Sequence, residues 1–363
     1  MRRRTKTKAF AVGMAAWLGA VAGAAAGTAP EGTPPSSYTV VPLGYLPDTF
    51  STVPWGMNND AHIVGWGQGP QAQVRPFLWT PQTGIMEFPL PAGFTWGYGT
   101  DISNTGIIVG TAYNGLGTAN EARAWRWING TMELLPAFPS ACPGMVPTAV
   151  NDAGDVVGFT CPDGGGPNNA WFFSNDTGLI DLLPIGIATA NDISNTRVLT
   201  GQRTGTAAPA YRWLAPTGRV GGLPLLPPPH HEGATGLGIN DSKVVTGYGI
   251  DILTGPDSHR AFRFDDVNGL VLLVEAPGPF RSAGYDINEQ GHVVGNSGTS
   301  STPDMVAWLW TPEGGRVNLI DMVDDPAVFG IRRGQDINDN NQIVATATTQ
   351  EGSPAVLLTP TAR

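Results

Sequence analysis

One short pattern recurs seven times along this chain, and a repeat restricts the fold more tightly than any other feature of the sequence. An apolar residue is followed by Asn or Ser, a polar turn, two apolar residues and a small residue. The copies are Met57-Asn58 to Gly65, Ile102-Ser103 to Gly110, Val150-Asn151 to Gly158, Ile193-Ser194 to Gly201, Ile239-Asn240 to Gly247, Ile287-Asn288 to Gly295 and Ile337-Asn338 to Ala345. The Asn or Ser and the closing small residue stand seven apart in every copy, and successive copies begin 43 to 50 residues apart.

Each unit of about 47 residues reads as four short strands, a to d. Strand a ends at the Ile-Asn. A turn such as Asn151-Asp152-Ala153-Gly154 supplies residues that tolerate left-handed backbone and reverses the chain into strand b, Val-Val-Gly. Strand c carries aromatics two apart: Phe77/Trp79, Trp125/Trp127, Trp171/Phe173, Tyr211/Trp213, Phe262/Phe264 and Trp308/Trp310, with Val356/Leu358 in the last copy. Period two puts both rings on one sheet face, and their recurrence marks them as core. A second turn leads to an apolar strand d such as Leu179-Ile180-Asp181-Leu182-Leu183-Pro184.

One such unit is too thin to bury its own faces, so the period implies a solenoid or a propeller. The ends discriminate between them. The last copy lacks strand d, whereas Tyr38-Thr39-Val40-Val41-Pro42-Leu43 precedes the first strand a and matches a d strand. The expected fold is therefore all-β, a seven-bladed β-propeller of four-stranded blades closed by the N-terminal strand. It forms a single domain over residues 38–360.

The Asn/Gly turns, together with an Ala-Phe or Ala-Trp strand, resemble the repeats of the HAF family of bacterial extracellular proteins, named for a His-Ala-Phe tripeptide. The resemblance covers nearly all of the expected mature chain. At the histidine position this sequence has Arg75, Arg123, Asn169, Pro209, Arg260, Val306 and Pro354, with His259 one place early. Leu43-Gly44 keeps the family's Leu-Gly, while three of the other six d segments read Leu-Leu-Pro. The resemblance implies a secreted repeat protein without an established reaction.

Arg2, Arg3, Arg4, Lys6 and Lys8 precede an Ala/Gly-rich apolar run ending near Ala26, the three-part form of a secretory signal peptide over residues 1–26. Residues 27–37 compose a disordered leader, and no later segment is apolar enough to span a membrane. The expected location is secreted or periplasmic in a bacterium. Removing the signal peptide leaves 15 basic residues against 30 acidic ones, which excludes nucleic-acid partners and anionic lipid surfaces. In an exported chain Cys142 and Cys161, the only cysteines, are expected to form one disulfide across the open end of the third a–b hairpin, leaving no free thiol to titrate.

Turns a–b and c–d are short and alike, while connections b–c and d–a are longer and all different, which places function on the second face. Candidate binding residues there are Trp66, Trp96, Tyr113, Phe280, Asp257, His259, Arg332 and Arg333. Aromatics beside carboxylates suit stacking on sugar rings. The leading expectation is a monomeric, non-catalytic propeller binding an extracellular glycan or protein. The alternative is a polysaccharide hydrolase or lyase on the same face, and a third reading is a structural envelope protein. No nucleophile elbow, zinc motif or phosphate loop is present, and no cofactor or metal is implied. The His230-His231 pair reads as a solvated loop. Calcium at the oxygen-rich turn Asp336–Asn341 is a lesser alternative.

Overall fold

The computed structural model describes residues 35–115, 122–137, 144–161, 169–205, 208–225, 233–250, 258–274, 281–299, 305–350 and 352–361. Among them are twenty-eight strands and no α-helix. Strand β1 (Tyr38–Pro42) comes first. The first module is then β2 (Ser51–Met57), β3 (Ile63–Gln68), β4 (Val74–Thr80) and β5 (Gly84–Glu87), an antiparallel meander in that order. The second is β6 (Trp96–Ile102), β7 (Ile108–Tyr113), β8 (Arg123–Ile128) and β9 (Thr131–Leu134). The third is β10 (Gly144–Val150), β11 (Val156–Cys161), β12 (Asn169–Ser174) and β13 (Gly178–Asp181). The fourth is β14 (Ile187–Ile193), β15 (Val198–Arg203), β16 (Ala210–Leu214) and the two-residue β17 (Gly221–Gly222).

The fifth repeat, β18 (Ala234–Ile239), β19 (Val245–Ile250), β20 (His259–Asp265) and β21 (Gly269–Leu272), shares one eight-stranded sheet with the sixth. The sixth is β22 (Arg281–Ile287), β23 (Val293–Gly298), β24 (Val306–Thr311) and β25 (Gly315–Asn318). This departs from seven separate four-stranded sheets. A single parallel bridge, His259 to Arg281, makes the join. The Ser282 hydroxyl reinforces it by accepting from Ala261 N at 2.8 Å. The last sheet is β26 (Val328–Ile337), β27 (Ile343–Thr349) and β28 (Ala355–Pro360), with β1 as its fourth strand. Val40 lies opposite Leu358 and Pro42 opposite Val356, and Thr361 N donates to Ser37 O at 3.0 Å.

Strand a of each module packs on strand a of the next, in the order β2, β6, β10, β14, β18, β22, β26 and back to β2. The repeated Asn explains itself at this contact. Its Oδ1 accepts main-chain N–H groups of its own turn, as Asn151 does from Ala153 and Asp155. Its Nδ2 donates to the carbonyl of the equivalent residue in the following module, Asn58 to Ser103 O, Asn240 to Asn288 O and Asn288 to Asn338 O. Ser103 and Ser194 keep the first function through Oγ and lack the second. The fourth turn residue has left-handed backbone in all seven copies, including the non-glycines Ala61, Arg197, Lys243 and Asn341 at φ of 57° to 63°.

The closing glycine answers a different need. It faces the first aromatic of strand c across the b–c ladder, Gly158 to Trp171 and Gly295 to Trp308. A Cβ on Gly295 would stand 2.0 Å from Ala283 O and 2.6 Å from the Trp308 ring. Where the seventh copy has Ala345, the facing residue is Val356, so the extra methyl is matched by a smaller partner. The first aromatics, from Phe77 to Trp308, are fully buried. The residue between the two aromatics reaches the second aromatic of the next module: Arg126 lies over Phe173 at 5.2 Å, Phe172 meets Trp213 edge-on, Arg212 lies over Phe264 and Arg263 over Trp310. Leu357 of the last module packs with Trp79 of the first.

Candidate functional site

Seven near-identical modules make departures from the repeat the place to look for a site. Strand a is the first strand of each module's meander and the one that packs on its neighbours' strands a. Two positions on it, three and five residues before the repeat Asn or Ser, are compared most usefully. In modules three, four and five they hold Val146/Thr148, Thr189/Asn191 and Thr235/Leu237. In the other four they hold Ala283 and Tyr285 on β22, Arg333 and Gln335 on β26, Val53 and Trp55 on β2, and Tyr98 and Thr100 on β6. Aromatic and cationic side chains are therefore confined to four consecutive inner strands.

These side chains touch one another. Trp55 and Tyr98 meet edge to face with centroids 5.1 Å apart, Tyr98 and Tyr113 at 6.3 Å, and Trp96 and Tyr113 at 6.0 Å. The Arg333 guanidinium lies 4.2 Å from the Tyr285 ring centroid. The Tyr285 hydroxyl donates to Asn296 Oδ1 at 3.1 Å, and Asn296 Nδ2 donates to Arg332 O at 3.3 Å. All of these rings are half-buried. Phe50, just before β2, and Phe329, near the start of β26, are 62% and 60% exposed at the same end of the strands. The crescent thus begins at the end of the modules that carries the b–c and d–a connections, and runs inward along strands a.

Trp96, Tyr113, Arg332 and Arg333, expected from the sequence, fall on this crescent. Trp66 sits half-buried on β3 opposite Val53 and Pro76. His259 stacks on Tyr248 at 4.5 Å in the fifth module. Phe280 and Asp257 lie outside the described residues, as do Cys142 and the His230-His231 pair. Cys161 closes the open end of the third hairpin opposite Gly144, where it was expected. Trp55, Tyr98 and Tyr285 were missed. Their signal was available as aromatics at fixed distances before the repeat Asn in only some copies.

The opposite end of the inner strands has another character. A cavity of about 160 Å³ is walled there by the apolar residue before each repeat Asn or Ser and by Asp101, Asp286 and Asp336. Asp192 holds the same position in module four, and Gly56, Ala149 and Gly238 hold it in the rest. The small residues make room: a Cβ on Gly56 would fall 2.7 Å from Asp101 Oδ1. Each aspartate accepts a main-chain N–H from the following module, Asp101 from Val150, Asp192 from Ile239, Asp286 from Ile337 and Asp336 from Met57, at 2.7 to 2.9 Å. Burial pushes the carboxyl of Asp101 up to about 7 and that of Asp192 to about 8, against the opposing pull of those N–H donors. Asp286 and Asp336 are raised by burial as well, and their carboxyl groups meet in a side-chain hydrogen bond.

Around the rim, one residue of each turn accepts a main-chain N–H from its neighbour. Asn59 N donates to Asn104, Asn104 to Asp152, Asp152 to Asn195, Asn195 to Asp241, Asp241 to Glu289, Glu289 to Asp339, and Asp339 back to Asn59, at 2.6 to 2.9 Å. At the oxygen-rich turn Asp336–Asn341, Asp339 belongs to this lacing, Asp336 accepts from Met57 N and Asn338 Oδ1 accepts within its own turn, and among the described residues no three His, Cys, Asp or Glu side chains are grouped to hold a metal. No helix among them is long and apolar enough to cross a membrane.

No family model matches the chain, and no curated protein sequence does. Solved structures do resemble it. A streptogramin B lyase aligns with TM-score 0.53 at 13% identity, over 88% of this chain and 97% of that one. YCF48 bound to a D1 peptide aligns with TM-score 0.51 at 10% identity, over 90% and 97%. An oligogalacturonate lyase in complex with manganese aligns with TM-score 0.55 at 12% identity, over 90% and 98%. At such identities the likeness concerns architecture alone, and with the four-stranded meanders described above it gives the chain a β-propeller-like fold.

Proposed function

We propose that the chain is a secreted, non-catalytic seven-bladed β-propeller, closed by β1 in the last blade, and that it binds an extracellular glycan at the crescent formed by Trp55, Tyr98, Tyr113 and Trp96. Closure is supported by the pairing of β1 with β28 and by the seven rim hydrogen bonds that return to their origin. Secretion is supported by the basic and apolar N-terminal segment, and a non-catalytic role by the resemblance to HAF repeats.

The observation that carries the reading is the asymmetry of the crescent. Packing needs are the same in all seven modules, so an aromatic on three inner strands and a cation on a fourth, with neither at the matching positions of the other three, answer something other than packing. Half-buried indole and phenol rings set edge to face offer flat apolar surfaces with polar edges, the surface on which a sugar ring stacks its C–H face.

The alternative, a polysaccharide hydrolase or lyase, draws on the raised carboxyl groups, because a protonated aspartate can act as a general acid. Asp101 argues against that role: both of its oxygens accept main-chain N–H groups, from Ile102 and Val150, at 2.8 Å. Calorimetric titration with neutral and acidic oligosaccharides tests the proposal. Binding is expected in the wild type and a tenfold or greater loss in Trp55→Ala and Tyr98→Ala, with no shortening of the sugar. Turnover of any polysaccharide, or binding unaffected by both substitutions, would overturn it.

A further inference from the structure

Arg333 is the one cation in the crescent whose charge is left uncommitted. Arg126 is held by Glu133, Gly154 O and Asn175, Arg197 by Asp155 and Asp176, and Arg212 by Asp266. Arg332 donates to Thr348 Oγ1 at 3.0 Å. Arg333 has only the face of Tyr285 beneath it, and its Nε is buried without a hydrogen-bond partner. A guanidinium that has lost water at Nε and gained no acceptor is an unmet demand of the fold.

The site around it is built. Tyr285 is fixed through Asn296, which is in turn bonded to the main chain of Arg332, so the guanidinium plane is set by a ring that does not itself rotate freely. Stacking on a ring occupies one face of the guanidinium and leaves its N–H edge for a planar acceptor with two oxygens, the arrangement arginine offers to carboxylates. The neighbouring inner strand carries Trp55, and the one beyond it Tyr98. A sugar stacked on those rings would bring its substituents toward Arg333.

We propose that Arg333 recognises the carboxylate of a uronic-acid glycan, and that Tyr285 acts with it as a positioning residue. This rests on the reading of the crescent as a glycan site. It also fits a constraint from charge: a chain with net charge −10 repels anionic ligands at long range, so selection of an acidic sugar needs a cation inside the site, where screening by salt is weakest.

The test uses a matched pair of probes, a tetrasaccharide of β-1,4-mannuronate and the neutral β-1,4-mannose tetrasaccharide, titrated into the full chain. The wild type is expected to prefer the mannuronate probe at least tenfold. Arg333→Gln is expected to bring that ratio to within about twofold of unity by weakening the mannuronate probe at least fivefold, and Arg333→Lys to restore part of it, since Lys keeps the charge without the fork. Val53 and Ala283 hold the same strand position without charge, so the Gln variant should keep the wild-type melting temperature, which is measured alongside. An unchanged ratio in Arg333→Gln would overturn the assignment of Arg333. Equal binding of both probes by the wild type would overturn it too while leaving the glycan reading intact. Failure of both probes to bind would overturn both.

Discussion

The side-chain amide of Asn338 donates to the main-chain carbonyl of Asn58 at 3.0 Å, across 280 residues of sequence. Its Oδ1 accepts from Asn340 N and Gln342 N in its own turn, so one buried residue shapes a turn and ties the last repeat to the first. Asn338→Ala removes both functions and is expected to cost about 2–3 kcal/mol. Asn338→Ser keeps the turn acceptor, as Ser103 and Ser194 do, and should cost about 1 kcal/mol. Urea denaturation of the two variants checks the ranking, and equal losses would contradict the division of labour.

The closing glycine should tolerate nothing larger. Gly295→Ala is expected to lower stability by about 3 kcal/mol, because the obstacle is a carbonyl oxygen and the flat ring of Trp308, neither of which can yield cheaply. The reverse change, Ala345→Gly, should cost about 1 kcal/mol from backbone entropy and a small void beside Val356. Thermal melts of the pair would reject this account if Gly295→Ala were the milder one.

Arg126 is nearly fully buried between the second and third modules, whereas Leu78, Leu309 and Leu357 fill the corresponding position elsewhere. Arg126→Leu should therefore stay within about 1.5 kcal/mol of wild type, since an apolar side chain of similar volume can replace a buried ion pair. Arg126→Ala should cost about 3 kcal/mol through lost packing on Phe173 and an unpaired Gly154 carbonyl. Equal losses by chemical denaturation would show that the charge itself is indispensable.

Stability should fall as pH rises from 6.5 to 8. Asp101 and Asp192 are raised to about 7 and about 8 in the folded chain, from 3.8 when unfolded. The folded state then binds more protons than the unfolded one up to the folded value, and that advantage is lost as pH passes through it. His62 and His292 are lowered by burial, so they act in the other direction, favouring the folded state as pH climbs to about 6.5 and little beyond. Scanning calorimetry between pH 6.5 and 8 measures the carboxyls almost alone, and a flat or rising melting temperature there would refute the assignment.

The repeat, the a–b turns and the pairing of Tyr38–Pro42 with the final strand were legible in the sequence, because turn chemistry and alternation act locally and recur seven times. The extent of strand d was not, since the strand expected over Leu179–Pro184 ends at Asp181 and Leu183–Ile185 form a 3-10 turn. Nor was the bridge from His259 to Arg281, since it is a single parallel pair, reinforced by the Ser282 hydroxyl, that no pattern marks. Trp96, Tyr113 and Arg333 were found as variable residues near connections. Their partners Trp55, Tyr98 and Tyr285 lie within regular strands, where an aromatic reads as core until the inner edge of each sheet is known. The aspartates of the cavity hid for a similar reason: each belongs to a different module, and only the curvature of the whole assembly brings Asp286 and Asp336 within a hydrogen bond.

The sharing of one sheet between β1 and β28 has a consequence for how the molecule is made. The ribosome releases Tyr38 long before Val356, so the first strand waits through the synthesis of the modules between them before it finds its place. Non-local pairing of this kind is slow, and a chain cut short before Ala355 would leave Tyr38, 3% exposed in the finished protein, facing water. The latch thus works as an inspection step, in which β1 is hidden from proteases only once β28 has been made.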